Sequence, residues 1–305
     1  MHVLPRIGRN GIRIGLLTLT AIIAILAGFL VYDHQQARRP SDGNQHPSRT
    51  PVQSQTVLPF TGLSGPEGLT VDSAGDVYVA DGANNRVVKI APESGAQQVL
   101  PFTDLNKPFA VAVDSAGNAY TFDKNDRVVE LPAGHSAQRV MPFAGAESPT
   151  GLAVDSAGNL YVAECLLHRV VKLAAGSSTQ QVLPFTGLGC PGGLAVDPSG
   201  NVYVVEQLTD RVEVLGADSA ERRTLRFPDL FNPGAIAVDS AGNLYATQSF
   251  DHKGYQVMEL ATRTGQQRVL PFTGLDGPSG VAVDSAGSIY VTDYGSNRVV
   301  KLTAG

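Results

Sequence analysis

The sequence has no tryptophan, three methionines and two cysteines among 305 residues, and aromatic side chains make up only 7% of it. The missing tryptophan argues against repeats of the WD type. Charge is sparse too, at 17% of residues, yet 43% are hydrophobic and mean hydropathy is near zero, which excludes wholesale disorder. No H-x-H, H-E-x-x-H or G-x-S-x-G string occurs, so no metal-ligand pair or nucleophile elbow announces itself. What is plentiful is glycine, 33 residues, and proline, 19, more than a helical protein carries. The length allows one large domain or two ordinary ones.

Charge is unevenly placed. Residues 1–50 hold six Arg, no Lys and two Asp; the remainder holds 17 basic and 26 acidic residues. An acidic globular part is a poor partner for nucleic acid, and no nucleic-acid role is expected. Residues 14–32, IGLLTLTAIIAILAGFLVY, carry no charge. As a helix they span a bilayer core of ~30 Å. Arg6, Arg9 and Arg13 precede the run, which places residues 1–13 in the cytoplasm by the positive-inside rule. A cleavable signal peptide is the competing reading. Asp33-His34-Gln35-Gln36 follows the run with no small-residue cleavage site and no lipoprotein cysteine, so the expectation is an uncleaved signal anchor. Residues 33–52 are polar and without period, a flexible stalk of about 25 Å reach.

From residue 53 to 305 one unit recurs six times. The string V-D-S-A-G or a close variant places Asp at 72, 114, 155, 197, 239 and 284, with spacings of 42, 41, 42, 42 and 45. A period near 42 marks a repeat architecture. Val- and Tyr-rich runs bounded by turn residues are strands, and D-S-A-G suits a type I turn with glycine in the left-handed position. A fourth run, Q-x-V-L-P-F, carries Pro59, Pro101, Pro142, Pro184 and Pro271. Proline within a strand belongs at a sheet edge, so this run is expected to be the outer strand. The order from the axis outward is then G-x-A-V-D, N-x-Y-V, R-V-V-K-L and L-P-F, which is a propeller blade. Pro and then Gly or Ala precede each inner strand, as at Pro66/Gly68 and Pro108/Ala110, where crowding at the axis favours small residues. Six of the nine tyrosines hold one position, Tyr78, Tyr120, Tyr161, Tyr203, Tyr245 and Tyr290, and are read as packing between blades. The last unit ends three strands in, and the missing outer strand appears at Gln55–Pro59. The fold class is therefore all-β: a six-bladed propeller closed by its N-terminal strand.

The unit P-x-G-x-A-V-D-x-x-G-N-x-Y-V…N-R-V-V-K-L resembles the NHL repeat, a propeller-forming motif. The wording V-L-P-F-T-G-L and N-R-V-V-K-L is similar to the extracellular sensor domain of a mycobacterial receptor-type serine/threonine kinase. The resemblance implies a propeller displayed outside the cell membrane. It implies no kinase activity here, because no V-A-I-K, H-R-D or D-F-G string is present and thirteen residues precede the apolar run.

Several groups invite a chemical reading. Gly187-Leu-Gly189-Cys-Pro-Gly192 matches G-x-G-x-x-G, but an inner strand follows it where a dinucleotide site needs a helix. The six turn aspartates make a ring that suits either calcium or, more simply, capping of each turn. An acid ends the second strand and an Arg opens the third in five units: Asp81/Arg86, Asp123/Arg127, Glu164/Arg169, Glu206/Arg211 and Asp293/Arg298. These read as structural salt bridges. Cys165 and Cys190 fall in neighbouring loops and read as a disulfide in an oxidising compartment, with a thiolate or zinc pair as the lesser reading. The loops of blades three to five depart most from the repeat. They put Leu166, Leu167, His168, Leu208, Phe250, His252 and Tyr255 on one rim, with Tyr294 in blade six. Exposed apolar patches mark interfaces, so this rim is the expected binding surface. The expected function is non-catalytic, sensor-like binding of a protein or cell-envelope ligand, with no cofactor and no metal. The alternative is a metal-dependent hydrolase or lyase of the lactonase type, with Glu164, His168, Glu206 and His252 as donors.

Overall fold

A computed structural model describes residues 53–304, except 92, 93, 144, 146, 147, 208, 210, 218–220, 231, 252 and 253 and the side chains of 249–251. The expected cytoplasmic segment, membrane anchor and stalk lie outside the described residues. Among the described residues no helix is long and apolar enough to cross a membrane.

Each D-S-A-G turn folds in the same way. Asp72 accepts the amides of Ala74 and Asp76 on one carboxylate oxygen, both at 2.9 Å, while Gly75 closes the turn at φ +85°. Its other oxygen accepts the hydroxyl of Tyr78 at 3.0 Å. The same set recurs at the other five aspartates. The turn aspartates therefore cap their own turns, and each is tied to the tyrosine of the second strand. Burial, then the neighbouring carboxylate, pushes these phenols up, Tyr203 to about 12, so they remain donors.

The strands form six four-stranded antiparallel sheets. The inner strands are Pro66–Val71, Ala110–Val113, Pro149–Val154, Pro191–Val196, Pro233–Val238 and Pro278–Val283. The second strands are Val77–Asp81, Ala119–Asp123, Leu160–Glu164, Val202–Glu206, Leu244–Asp251 and Ile289–Asp293. The third are Arg86–Ala91, Arg127–Leu131, Arg169–Leu173, Arg211–Leu215, Gly254–Ala261 and Arg298–Leu302. The outer strands are Ala96–Val99, Arg139–Val140, Gln180–Val182, Arg222–Arg226, Gln266–Val269 and, for blade six, Gln55–Val57. This last strand pairs antiparallel with Arg298–Leu302, Gln55 opposite Leu302 and Val57 opposite Val300. Inner strands touch their neighbours all round the ring, blade six meeting blade one.

The outer strands differ from expectation at their ends. In five blades pairing stops at the Val of Q-x-V, and L-P-F lies beyond. The Leu amide still reaches the third strand, as in Leu100 to the Val87 carbonyl at 2.9 Å. The following Pro has no N–H, and the chain turns there: the Phe102 amide donates to the Leu100 carbonyl at 2.8 Å.

Second strands are buried along their whole length in blades one to four and six, on both faces. This is why they read as continuous apolar runs without alternation. The core is six layers, each built from facing sides of adjacent blades. Tyr78 packs with Val111 and Leu131 of blade two, and Tyr290 with Leu69, Val79 and Val88 of blade one. At the axis a Cβ on Gly68 would lie 2.9 Å from the Ala110 Cα, so glycine is required there.

The closing strand has a measurable role. Deleting residues 53–60 strips blade six of its outer strand and removes Leu58, which packs in the layer between blades six and one. The deletion variant is expected to aggregate or to melt at clearly lower temperature, read by circular dichroism and gel filtration. A variant as stable as the parent shows that closure lies elsewhere.

Candidate functional site

The carboxylate that ends each second strand does more than face an arginine. Asp81 is fully buried; it accepts the Ser64 amide at 2.7 Å and the Arg86 Nε at 2.7 Å. Arg86 continues to the Gly62 carbonyl at 2.8 Å. Ser64 and Gly62 belong to the connection that crosses from the previous blade, so acid and base together strap that connection to its own blade. Asp123 with Arg127 (3.1 Å) and Asp293 with Arg298 (2.7 Å) repeat the pattern, and Glu164 pairs with Arg169. Glu206 is a correction. It faces Arg211 in the ladder, but its Oε2 accepts the Gly189 amide at 2.8 Å and no ion pair forms between the two. In blade five Gln248 and Gln256 take the two positions and face each other.

One residue before the arginine, the chain adopts left-handed geometry at Asn85, Asp126, His168 and Asn297, with φ of 54°, 55°, 52° and 51°. From this position a side chain reaches the next blade. Asn85 accepts the Lys107 amide at 2.8 Å, and Asn297 accepts the Gly65 amide at 2.7 Å. His168 does the same job with reversed polarity: its Nδ1–H donates to the Gly189 carbonyl. Beside it, Cys165 and Cys190 form a disulfide with Cα atoms 4.3 Å apart. Closing this loop contributes roughly 3 kcal/mol in the chain-entropy account. Blades three and four are thus tied twice.

The loops bearing these ties share one face, and on it a cleft of about 840 Å³ opens against the starts of the inner strands of blades one to three. Gly65, Glu67, Gly82 and Ala83 of blade one line it, with Lys107, Pro108, Phe109, Lys124 and Asp126 of blade two. Ser148, Pro149 and Leu166 of blade three and Tyr294 of blade six complete the wall. Leu166 is 64% exposed and Tyr294 48%. Two cations, two carboxylates and an apolar lip therefore surround one concavity.

Of the rim expected from the sequence, the structure brings Leu166 and Tyr294 to this cleft. Leu167 and Tyr255 are half-buried and outside its lining, and His168 is engaged by blade four. Leu208 and His252, and the side chain of Phe250, lie outside the described residues. The candidate donors Glu164, His168 and Glu206 do not converge: among the described residues no three His, Cys, Asp or Glu side chains are placed to hold a metal.

Glu67 is the site residue that sequence reading missed. It sits between Pro66 and Gly68, where the other blades carry Phe109, Thr150, Gly192, Gly234 and Ser279. One ionisable side chain among six equivalent axial positions was the available signal. Burial pushes its carboxyl up, and the Lys124 ammonium draws it back in part.

A closed ring of six four-stranded antiparallel blades defines the chain as a six-bladed β-propeller. The NHL repeat family matches residues 63–90 and 275–302, which lie in blades one and six. Over 82 residues, 26% of this chain, it is 49% identical to the serine/threonine-protein kinase PknD of Mycobacterium tuberculosis. The match takes in 10% of that kinase, so the chain spans a small part of its relative's length. Among solved structures, the chain is similar to one in a nidogen/laminin complex, with TM-score 0.59 and 25% identity over 66% of this chain and 78% of that one. It is also similar in fold to a gluconolactonase from Xanthomonas campestris, with TM-score 0.66 and 18% identity over 82% of this chain and 89% of that one.

The raised carboxyl of Glu67 gives a pH signature. Its folded form holds the proton where the unfolded chain releases it. Its contribution to stability is present below the ordinary glutamate range and is lost as pH rises through the raised value. Glu67→Gln is therefore expected to melt close to the parent at about pH 4 and above it at about pH 8. A difference that does not grow with pH places Glu67 in water.

Proposed function

We propose that the protein is a membrane-anchored, extracytoplasmic, sensor-like propeller that binds a protein or cell-envelope ligand in this cleft and performs no catalysis. The observation that carries the reading is the cleft itself. Exposed Leu166 and Tyr294 sit beside Lys107, Lys124, Asp126 and Glu67, on loops held by buried carboxylates and inter-blade hydrogen bonds. A rigid, mixed apolar and charged concavity suits recognition. Its lining carries two carboxylates, Glu67 and Asp126, and among the described residues no three His, Cys, Asp or Glu side chains are grouped to hold a metal, which weighs against the lactonase-type alternative. Residue 54 joins the propeller beside Thr303, next to the D-S-A-G turns, at the end of the blade away from the cleft. The anchor reading rests on residues 14–32, and the disulfide suits an oxidising compartment.

Two measurements test this. A photo-crosslinking residue at position 166 or 294 of the full-length protein in cells is expected to give a discrete adduct, and one at exposed Val182 is not. Equal labelling from all three positions removes the cleft from the account. Protease added to intact cells is expected to degrade the propeller; protection of residues 53–305 places it in the cytoplasm instead.

A further inference from the structure

Blade four has an outer edge unlike the other five. In those blades the residue after the inward-bonded Leu or Met is a proline: Pro59, Pro101, Pro142, Pro184 and Pro271. Leu58, Leu100, Met141, Leu183 and Leu270 send their amides inward, to third-strand carbonyls at 2.8–2.9 Å. Amides alternate in direction along a strand, so the next N–H faces outward, and proline removes it. Edge prolines of this kind block the addition of a foreign strand. The equivalent residue in blade four, seven places before Pro233 as Pro101 is before Pro108, is Arg226. It restores the outward N–H. The outer strand Arg222–Arg226 accordingly pairs along five residues, the longest outer strand of the ring, and ends with Arg226 opposite Arg211.

That last pair runs against the charge logic of the molecule. Like charges directly opposite each other in a ladder are unfavourable. Arg226 and Arg211 are both exposed, and among the described residues neither forms an ion pair. Glu206, which faces Arg211 from the other side, gives its oxygen to Gly189. Arg222, on the same face four residues before Arg226, is held at Thr186 and near Glu213. Two guanidinium groups without an ion pair among the described residues and a proline-free strand edge thus coincide on a propeller that otherwise carries an acidic excess.

We propose that the outer edge of blade four is a docking strand for an extended acidic peptide segment of a partner protein. Backbone pairing to Arg222–Arg226 supplies the framework. Carboxylates at alternate positions of the added strand meet Arg226 and Arg211, where Arg forks bind them in pairs. A single extended strand meets the edge amides and the arginines together. This surface is separate from the cleft, and either can fail without the other.

The test uses the full-length protein in detergent micelles and a labelled peptide, acetyl-Glu-Val-Glu-Thr-Glu-Val amide, with its Glu-to-Lys counterpart as control. The acidic peptide is expected to bind at least about tenfold more tightly than the lysine peptide. Amide exchange in residues 222–226 is expected to slow on binding. Arg226→Pro, which installs the residue of the other five blades, and the double variant R211Q/R226Q are each expected to weaken binding about tenfold or more with an unchanged melting temperature. Leu166→Ser is expected to bind the peptide as the parent does. Equal binding of the two peptides, undiminished binding by both arginine variants, or charge-dependent binding without protection of residues 222–226 overturns the proposal. Arginine-dependent binding to phosphatidylglycerol vesicles but not to the peptide, or arginine-dependent self-association, reassigns the edge to a bilayer or to a second copy and overturns it as well.

Discussion

Each blade is apolar on both faces, and that single constraint organises the molecule. A second strand such as Val77–Asp81 is buried along its whole length, so neither face of its sheet tolerates water. Every blade therefore needs two neighbours, and the row of six must close on itself. The closing contact is small: three residues, Gln55–Val57, paired to Arg298–Leu302. It lets the first residues of the propeller complete its last blade, and it brings Tyr290 of blade six against Val79 and Val88 of blade one. The glycines at the axis follow from the same closure, because six inner strands converge where no Cβ fits beside Ala110.

Electrostatics serves the connections. A polar chain crossing from one blade to the next must satisfy its amides, and the buried acid at the end of the second strand does so. Asp81 takes the Ser64 amide while Arg86 neutralises the acid and holds the Gly62 carbonyl. Blades three and four modify this device. Glutamate replaces aspartate, His168 replaces asparagine, and a disulfide is added. Departures from the repeat in that sector are therefore partly structural substitutions for the ties used elsewhere. The cleft lies mainly at blades one to three; the loops of blades one and two keep closer to the repeat, and the axial position of blade one holds Glu67.

The architecture was legible in the amino-acid sequence because it is written six times. The spacing of the turn aspartates, the tyrosine at one fixed position and the proline after the outer strand each report a local requirement, and local requirements survive in sequence. Strand order, the D-S-A-G turn, the closing strand and the disulfide partners all follow from such signals. The ends of the outer strands were less legible, because a proline that ends a strand and one that sits at its edge look alike in sequence.

The candidate site was only partly legible, for a physical reason. Which loops meet over the axis depends on how six blades are arranged around a ring, and residues 67, 109, 166 and 294 are brought together only by that closure. Sequence departures pointed to blades three to five; the tertiary structure placed the cavity at blades one to three, with Leu166 and Tyr294 at its edges. Likewise the exchange of an edge proline for Arg226 is visible as a single letter, but its pairing with Arg211 exists only once the strand has extended to meet it. The repeated chemistry of each blade was the sequence's own. The cavity and the unguarded edge belong to the ring, because they depend on contacts between residues far apart in the chain.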